Sequence, residues 1–217
     1  MRTKNLLLFL ACLFGLFAAP LHGQWKQCNG PYGGSVSCLA AKDSLLFAGS
    51  LDYGVYRMKE GTAWTMANTG LTNKGIRALI IVDSFVFAGT IGGGVFRSTV
   101  NGEWSIISAA LKSSTVTSFA KNDTFLFAGI ASGGVYRSKD KGDTWEAVNN
   151  GLTTQDVSCL SMIGSSLYAG TILGGVYRST DNGETWNVAN GDMPNQSIST
   201  IVGRAGNIFV GTVDKGV

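Results

Sequence analysis

Apolar residues in this chain fall into short runs, each closed by a cluster of glycine, asparagine, aspartate or serine, and the runs recur at a fixed distance. One run reads Phe47-Ala48-Gly49, Phe87-Ala88-Gly89, Phe127-Ala128-Gly129, Tyr168-Ala169-Gly170 and Phe209-Val210-Gly211. A second reads Gly54-Val55-Tyr56-Arg57, Gly94-Val95-Phe96-Arg97, Gly134-Val135-Tyr136-Arg137 and Gly175-Val176-Tyr177-Arg178. Trp25, Trp64, Trp104, Trp145 and Trp186 keep the same time, 39 to 41 residues apart. A fixed period near 40 marks a chain built by stacking one small unit. A residue present in every unit therefore serves the unit, and specific function falls to the residues that break the pattern.

The third complete unit shows the plan. Val116–Phe119, Thr124–Gly129, Val135–Ser138 and Trp145–Val148 read as four strands, separated by turns at Asn122-Asp123, at Ile130–Gly134 and at Lys139–Thr144. Short β-rich segments bounded by turn formers carry the strand signature, and none has a helical period. Near-continuous apolarity in the first two strands predicts burial on both faces, as in a small sheet held between copies of itself. The expectation is an all-β fold: a β-propeller of four-stranded antiparallel blades with about 40–41 residues per repeat. Units 36–66, 76–107, 116–148 and 157–189 are complete. Trp25–Cys28 matches a fourth strand without its first three, and the unit starting at Ile198 stops at Val217. Residues 24–217 thus read as a propeller domain incomplete at its C-terminus, with the Trp25 strand fastening the ring.

The turn between third and fourth strands is the most specific motif. Ser138-Lys139-Asp140-Lys141-Gly142-Asp143-Thr144-Trp145 and Ser179-Thr180-Asp181-Asn182-Gly183-Glu184-Thr185-Trp186 both spell Ser-x-Asp-x-Gly-x-Thr-Trp. The spacing predicts a self-capped turn, with Asp140 and Asp181 accepting from backbone amides and Gly142 and Gly183 at positive φ. The corresponding turns before Trp64 and Trp104 are one residue shorter and lack the aspartate.

These residues resemble the Asp-box, or BNR repeat, of sialidases, sortilin-type receptors and certain glycoside hydrolases. The whole unit is similar to the exported bacterial propellers grouped with photosystem II assembly factors. The resemblance implies a seven-bladed ring, and it implies that the Asp-box is structural and lies opposite the ligand face.

The start of the chain reads differently. Arg2 and Lys4 precede an apolar stretch from Leu6 to Ala19, followed by Pro20–Gly23. This is the pattern of a secretory signal peptide over residues 1–23, and the run is short for a bilayer span of about 20 residues. The expected destination is the periplasm, the cell surface or the exterior, with no stable membrane span after cleavage. Losing Arg2 and Lys4 leaves 15 basic residues against 14 acidic ones, and His22 is lost too. No basic run remains to give a nucleic-acid footprint. Cys38 and Cys159 share one repeat slot, taken elsewhere by Ala78, Ser118 and Thr200, which argues for small core residues, as does the slot of Cys28. A Cys28–Cys38 disulfide is the alternative in an exported chain.

Without histidine in the mature region, a Ser-His-Asp or Cys-His nucleophile and a histidine-held metal are excluded. Neither catalytic residues nor a cofactor or metal site is predicted. Asp43, Asp83 and Asp123 fall in turns between first and second strands, and most other carboxylates fall in the Asp-box turns. The arginines at 57, 97, 137 and 178 repeat in register and read as edge residues with buried stems and hydrated heads. The pattern breakers are Asp52 and Tyr53 in a tight turn otherwise built of glycine and small or apolar residues, Lys74 in an entering loop, and Arg77. The last stands where other units have Ser37, Thr117, Ser158 and Ser199. Asp52, Tyr53, Lys74 and Arg77 are the candidate partner-binding residues of a non-catalytic scaffold for a protein or glycan. The alternative is the N-terminal part of a sialidase-like or endoglucanase-like glycoside hydrolase, a chemistry that needs only two carboxylates.

Overall fold

The computed structural model describes residues 30–32, 34–107, 110–112, 114–214 and 216. The expected signal peptide, Trp25, Cys28, Lys215 and Val217 lie outside the described residues. Eighteen strands and no helix make up the described chain. The first blade holds β1 (Val36–Lys42), β2 (Leu45–Ser50), β3 (Gly54–Lys59) and β4 (Thr65–Met66). The second holds β5 (Ile76–Val82), β6 (Phe85–Thr90), β7 (Val95–Thr99) and β8 (Ser105–Ile107). In the third are β9 (Val116–Lys121), β10 (Leu126–Ile130), β11 (Gly134–Ser138) and β12 (Glu146–Ala147). The fourth has β13 (Val157–Ile163), β14 (Ser166–Thr171), β15 (Gly175–Ser179) and β16 (Asn187–Val188). A two-stranded fifth sheet pairs β17 (Ile198–Arg204) with β18 (Asn207–Thr212). Within each blade the strands are antiparallel neighbours in sequence order. The fold is all-β, made of repeated four-stranded sheets.

The apolar cores lie between blades. Phe47 and Val55 of the first blade pack with Ile76, Val86, Phe96 and Trp104 of the second. Phe87 and Val95 pack with Val116, Leu126 and Trp145 of the third, and Phe127 and Val135 with Val157, Leu167 and Trp186 of the fourth. The second-strand glycine permits this approach. A Cβ on Gly170 would stand 2.5 Å from Cys159 Sγ and 2.6 Å from Ile198 Cγ2 of the next sheet. The small slot of Cys38 and Cys159 is thus a seam position, and both are free thiols raised in pKa first by burial.

Burial on both faces holds for the second strands of the four complete blades but not for the first strands. β10 and β14 are buried throughout, whereas β9 and β13 mix buried positions with half-buried ones, and Lys121 at the end of β9 is exposed. The first strands stand side by side, β1 against β5, β5 against β9, β9 against β13 and β13 against β17, so one flank looks away from the seams. The fourth strands are shorter than expected, two or three residues each. Trp145 and Val148, expected inside the third blade's outer strand, instead turn into the seams at its ends.

Candidate recognition face

One rim of the blades is built by a repeated backbone bond. The turn leaving each second strand donates to the loop entering the next blade: Gly54 N to Lys74 O at 2.9 Å, Gly94 N to Ser114 O at 2.9 Å, Gly134 N to Gln155 O at 2.7 Å and Gly175 N to Gln196 O at 3.1 Å. Asparagine fixes these turns. Asn68, Asn149 and Asn190 accept from Val55, Val135 and Val176 N at 2.7, 2.7 and 2.6 Å. Asn68 Nδ2 also donates to Tyr53 O at 2.8 Å. Sequence reasoning passed over these asparagines, although each follows its tryptophan by four residues.

This scaffold brings three of the four pattern breakers to one place. Asp52 and Tyr53 form the first blade's turn, held by their amides on Ser50 Oγ, both at 3.3 Å. Lys74 meets that turn through its carbonyl on Gly54. Arg77 lies three residues further, on β5, and its side chain is not tied to the others. All four are exposed, and among the described residues no ion pair engages Asp52, Lys74 or Arg77.

Arg77 stands in a β-bulge, the irregularity between Ile76 and Ala78. The same bulge recurs in the first, third, fourth and fifth sheets. There a hydroxyl occupies it and, in the first, third and fourth sheets, ties two carbonyls. Ser37 Oγ donates to Gly49 O at 3.1 Å and to Ile76 O at 2.6 Å; Thr117 donates to Gly129 and Val157 O at 3.0 and 2.8 Å. Ser158 bonds Gly170 and Ile198 O at 3.0 and 2.5 Å, and Ser199 bonds Gly211 O at 2.9 Å. In each pair the second acceptor belongs to the next blade. Arg77 replaces that cross-seam tie with an exposed cation. Bulges re-aim side chains and cluster near sites.

The opposite rim carries the Ser-x-Asp turns. Ser138 Oγ donates to Asp140 Oδ1 and accepts from Gly142 N, both at 2.8 Å, while Asp140 Oδ1 accepts from Thr144 N at 2.8 Å. Ser179, Asp181, Gly183 and Thr185 repeat this at 2.7, 2.8 and 2.9 Å. Trp145 Nε1 donates to Gly142 O at 2.9 Å and Trp186 Nε1 to Val148 O at 2.8 Å. Partial burial works against the charge of Asp140, yet the Thr144 hydroxyl and amide and the Ser138 hydroxyl outweigh it and hold the pKa down at about 2. Asp181 is held at about 2, chiefly by the Thr185 hydroxyl and amide. Two shallow clefts, about 300 and 470 Å³, open on this rim between turns such as those of Asp83, Asp123, Lys141 and Asn182. The first carries mixed charge, with Lys141 Nζ 2.8 Å from Asp83 Oδ2.

Three of the four repeated arginines do not end in water. Arg57 Nη1 donates to Val100 O at 2.9 Å and Asn101 Oδ1 at 2.6 Å. Arg97 Nη1 reaches Lys141 O at 2.8 Å and Asp143 Oδ1 at 2.9 Å. Arg137 Nη1 reaches Asn182 O at 2.9 Å, and its Nη2 reaches Glu184 Oε1 and Glu146 Oε1, each at 2.7 Å. These three heads clasp the third-to-fourth-strand turn of the following blade, correcting the expectation of hydrated heads for them; Arg178 is exposed and bonds Ser166 Oγ of its own blade at 3.0 and 2.9 Å. Among the described residues no three His, Cys, Asp or Glu side chains gather in a metal-binding group.

Solved structures share this architecture at low identity. The BT4673 extracellular domain of B. thetaiotaomicron, from a one-component system, superposes with a TM-score of 0.70 and 19% identity over 86% of this chain and 27% of its own. The GH74 enzyme of Niastella koreensis gives 0.67 and 19% over 84% of this chain and 33% of its own. The computationally designed Ika8 protein gives 0.67 and 16% over 83% and 56%. The chain therefore spans about half or less of the length of these proteins, and the likeness is one of fold. No curated protein matches it in sequence. The model of the DUF6242 beta propeller domain matches residues 82–214, and with the blades described above this places the chain in that family.

Proposed function

We propose that this protein is an exported, non-catalytic propeller scaffold that binds a protein or glycan partner on the rim where second-strand turns meet entering loops. Asp52, Tyr53, Lys74 and Arg77 are its contact residues. The observation that carries the reading is Arg77: at a bulge that a hydroxyl occupies in each of the other sheets, a cation with no ion pair among the described residues stands exposed. An aromatic, a carboxylate and two cations on a rigid rim suit a polar, partly charged ligand. The test is a binding panel of neutral and anionic oligosaccharides and of exported proteins, titrated with Tyr53→Ala and Arg77→Ala. We expect affinity for the recognised ligand to fall about 10-fold in each variant, a loss of roughly 1.4 kcal/mol, with an unchanged melting temperature. Unaltered affinity in both variants removes the proposal, and polysaccharide or sialoside turnover abolished by one carboxylate substitution replaces it with the glycoside-hydrolase reading.

Residues 1–23 serve as the export signal in this proposal, and Trp25–Cys28 serves as the outer strand of a ring larger than the described blades. Trp104 Nε1 donates to Ala67 O at 2.6 Å and Trp186 Nε1 to Val148 O, each acceptor three residues after the preceding tryptophan. In this proposal the same register would offer a carbonyl near Cys28 to the Trp64 indole nitrogen, which is buried and has no partner among the described residues. A chain starting at Gly30 is expected to melt lower than one starting at Gln24; equal melting would sink the strand assignment.

A further inference from the structure

The cleft between the second and third blades, about 300 Å³, is lined by Lys121, Lys139 and Lys141. Its counterpart in the next seam, about 470 Å³, carries Met162, Thr180 and Asn182 in the same repeat slots. The cleft is thus a property of the repeat, whereas its lysines break the pattern. A fourth amine arrives from the first blade, where Lys42 Nζ donates to Asp83 O. The chain as a whole holds 17 basic residues against 14 acidic ones, so composition alone does not gather amines here. Lys141 also sits in left-handed backbone at φ 58, as Asn182 does. Asparagine visits that region readily and longer side chains seldom do. A residue held against its backbone preference is a mark of working sites.

The cleft already holds an anion of the chain's own. Asp83 Oδ2 lies 2.8 Å from Lys141 Nζ. The hydrogen bond and charge of Lys141, with the charges of Lys121 and Lys42 behind them, keep that carboxyl below its ordinary value. Lys121 and Lys139 have no ion pair among the described residues. We propose that this cleft binds a short segment of an acidic oligosaccharide, placing its carboxylates on Lys121 and Lys139 and its hydroxyls on Asp123 and Thr124, which line the same cleft. The volume falls at the low end of the range of about 300–1,000 Å³ for ligand pockets, which suits part of a chain. Asp123 accepts from hydroxyls and repels a closely following anion, so the ligand is sparsely charged and rich in hydroxyls. A nucleic acid fits less well, because it is densely charged and gains from stacking on open rings. The aromatic that lines the cleft, Phe125, has the Arg137 guanidinium over its ring at 4.7 Å. This site lies on the rim opposite Arg77 and is independent of the reading above.

The test is isothermal titration of the purified protein with a short oligogalacturonate, beside a neutral gluco-oligosaccharide and an oligothymidylate of equal length. The oligogalacturonate should bind with a Kd on the order of 0.1–1 mM, more weakly as salt is added, and the neutral sugar should not saturate. The triple variant Lys121→Met, Lys139→Thr, Lys141→Asn installs residues that the fourth blade already carries in these slots. It should keep or raise the melting temperature and weaken binding about 10-fold or more. Should it fail to fold, Lys121→Met and Lys139→Thr, each outside any described ion pair, should separately weaken binding about 3-fold. Asp83→Asn removes the resident anion and frees Lys141, so affinity should rise about 3-fold, a gain that a merely structural carboxylate would not produce. No saturable binding at about 1 mM oligogalacturonate overturns the proposal, as does equal binding of the neutral sugar. Tighter binding of the oligothymidylate overturns it in favour of nucleic acid. Binding that survives the lysine variants but is lost in Tyr53→Ala and Arg77→Ala moves the sugar to the other rim, overturning this site and leaving the earlier reading standing.

Discussion

Asp140 and Asp181 each organise a turn with a single carboxylate, taking the Thr amide and hydroxyl four residues on. Asp181→Ala should lower stability by about 0.5–1 kcal/mol, the net worth of hydrogen bonds that water can partly replace, measured by urea unfolding at pH 7. The pH dependence has a definite sign. Both carboxyls titrate near 2 in the folded protein, below the value of about 3.9 for an unfolded chain. Their contribution is complete above about pH 4 and is lost as pH falls through 2. The double variant Asp140→Asn, Asp181→Asn should therefore be less stable at neutral pH and show a flatter decline between pH 4 and 2. Equal slopes would show that other carboxylates govern acid unfolding. At this scale the motif was legible, because Ser-x-Asp-x-Gly-x-Thr-Trp fixes donors and acceptors within a few residues of each other. Arg77 was legible only as an exception to its slot. The cross-seam hydroxyl bond that gives the exception its meaning spans some 40 residues and no local pattern encodes it. Arg77→Thr should restore the tie and stabilise the protein by about 0.5–1 kcal/mol, read as a raised urea midpoint.

At the scale of the strand, order and direction followed directly from apolar runs and turn residues. Length and exposure did not. The outer strands span two or three residues, although Val148 N still donates to Val135 O at 2.9 Å, and a period count does not set where the ladder ends. The heads of Arg57, Arg97 and Arg137 were misread for a related reason: a cation on a strand edge is solvated by default, and their acceptors belong to the next blade. Gly170 offers a clean check of the seam geometry. Gly170→Ala forces a methyl group against Cys159 Sγ and Ile198, and overpacking of this kind costs about 1–3 kcal/mol. The variant should lower the melting temperature while leaving the strand signature in circular dichroism unchanged, and an unaltered transition would show that the seam yields.

For the whole molecule, each apolar cluster is shared by two neighbouring sheets. No blade owns a core, so stability accrues seam by seam, much as in a one-dimensional array. Native-state hydrogen exchange should then be graded, slowest in β10 and β14, which have a sheet on either side, and fastest in β2 and β18; uniform protection would contradict this. The same arrangement bears on how such a chain lengthens. Inserting one more 40-residue copy anywhere creates one new seam of the kind already present and disturbs no other, so changes in copy number meet little resistance from the interior. The constraint falls on the seam itself, whose two flanks every added copy must match.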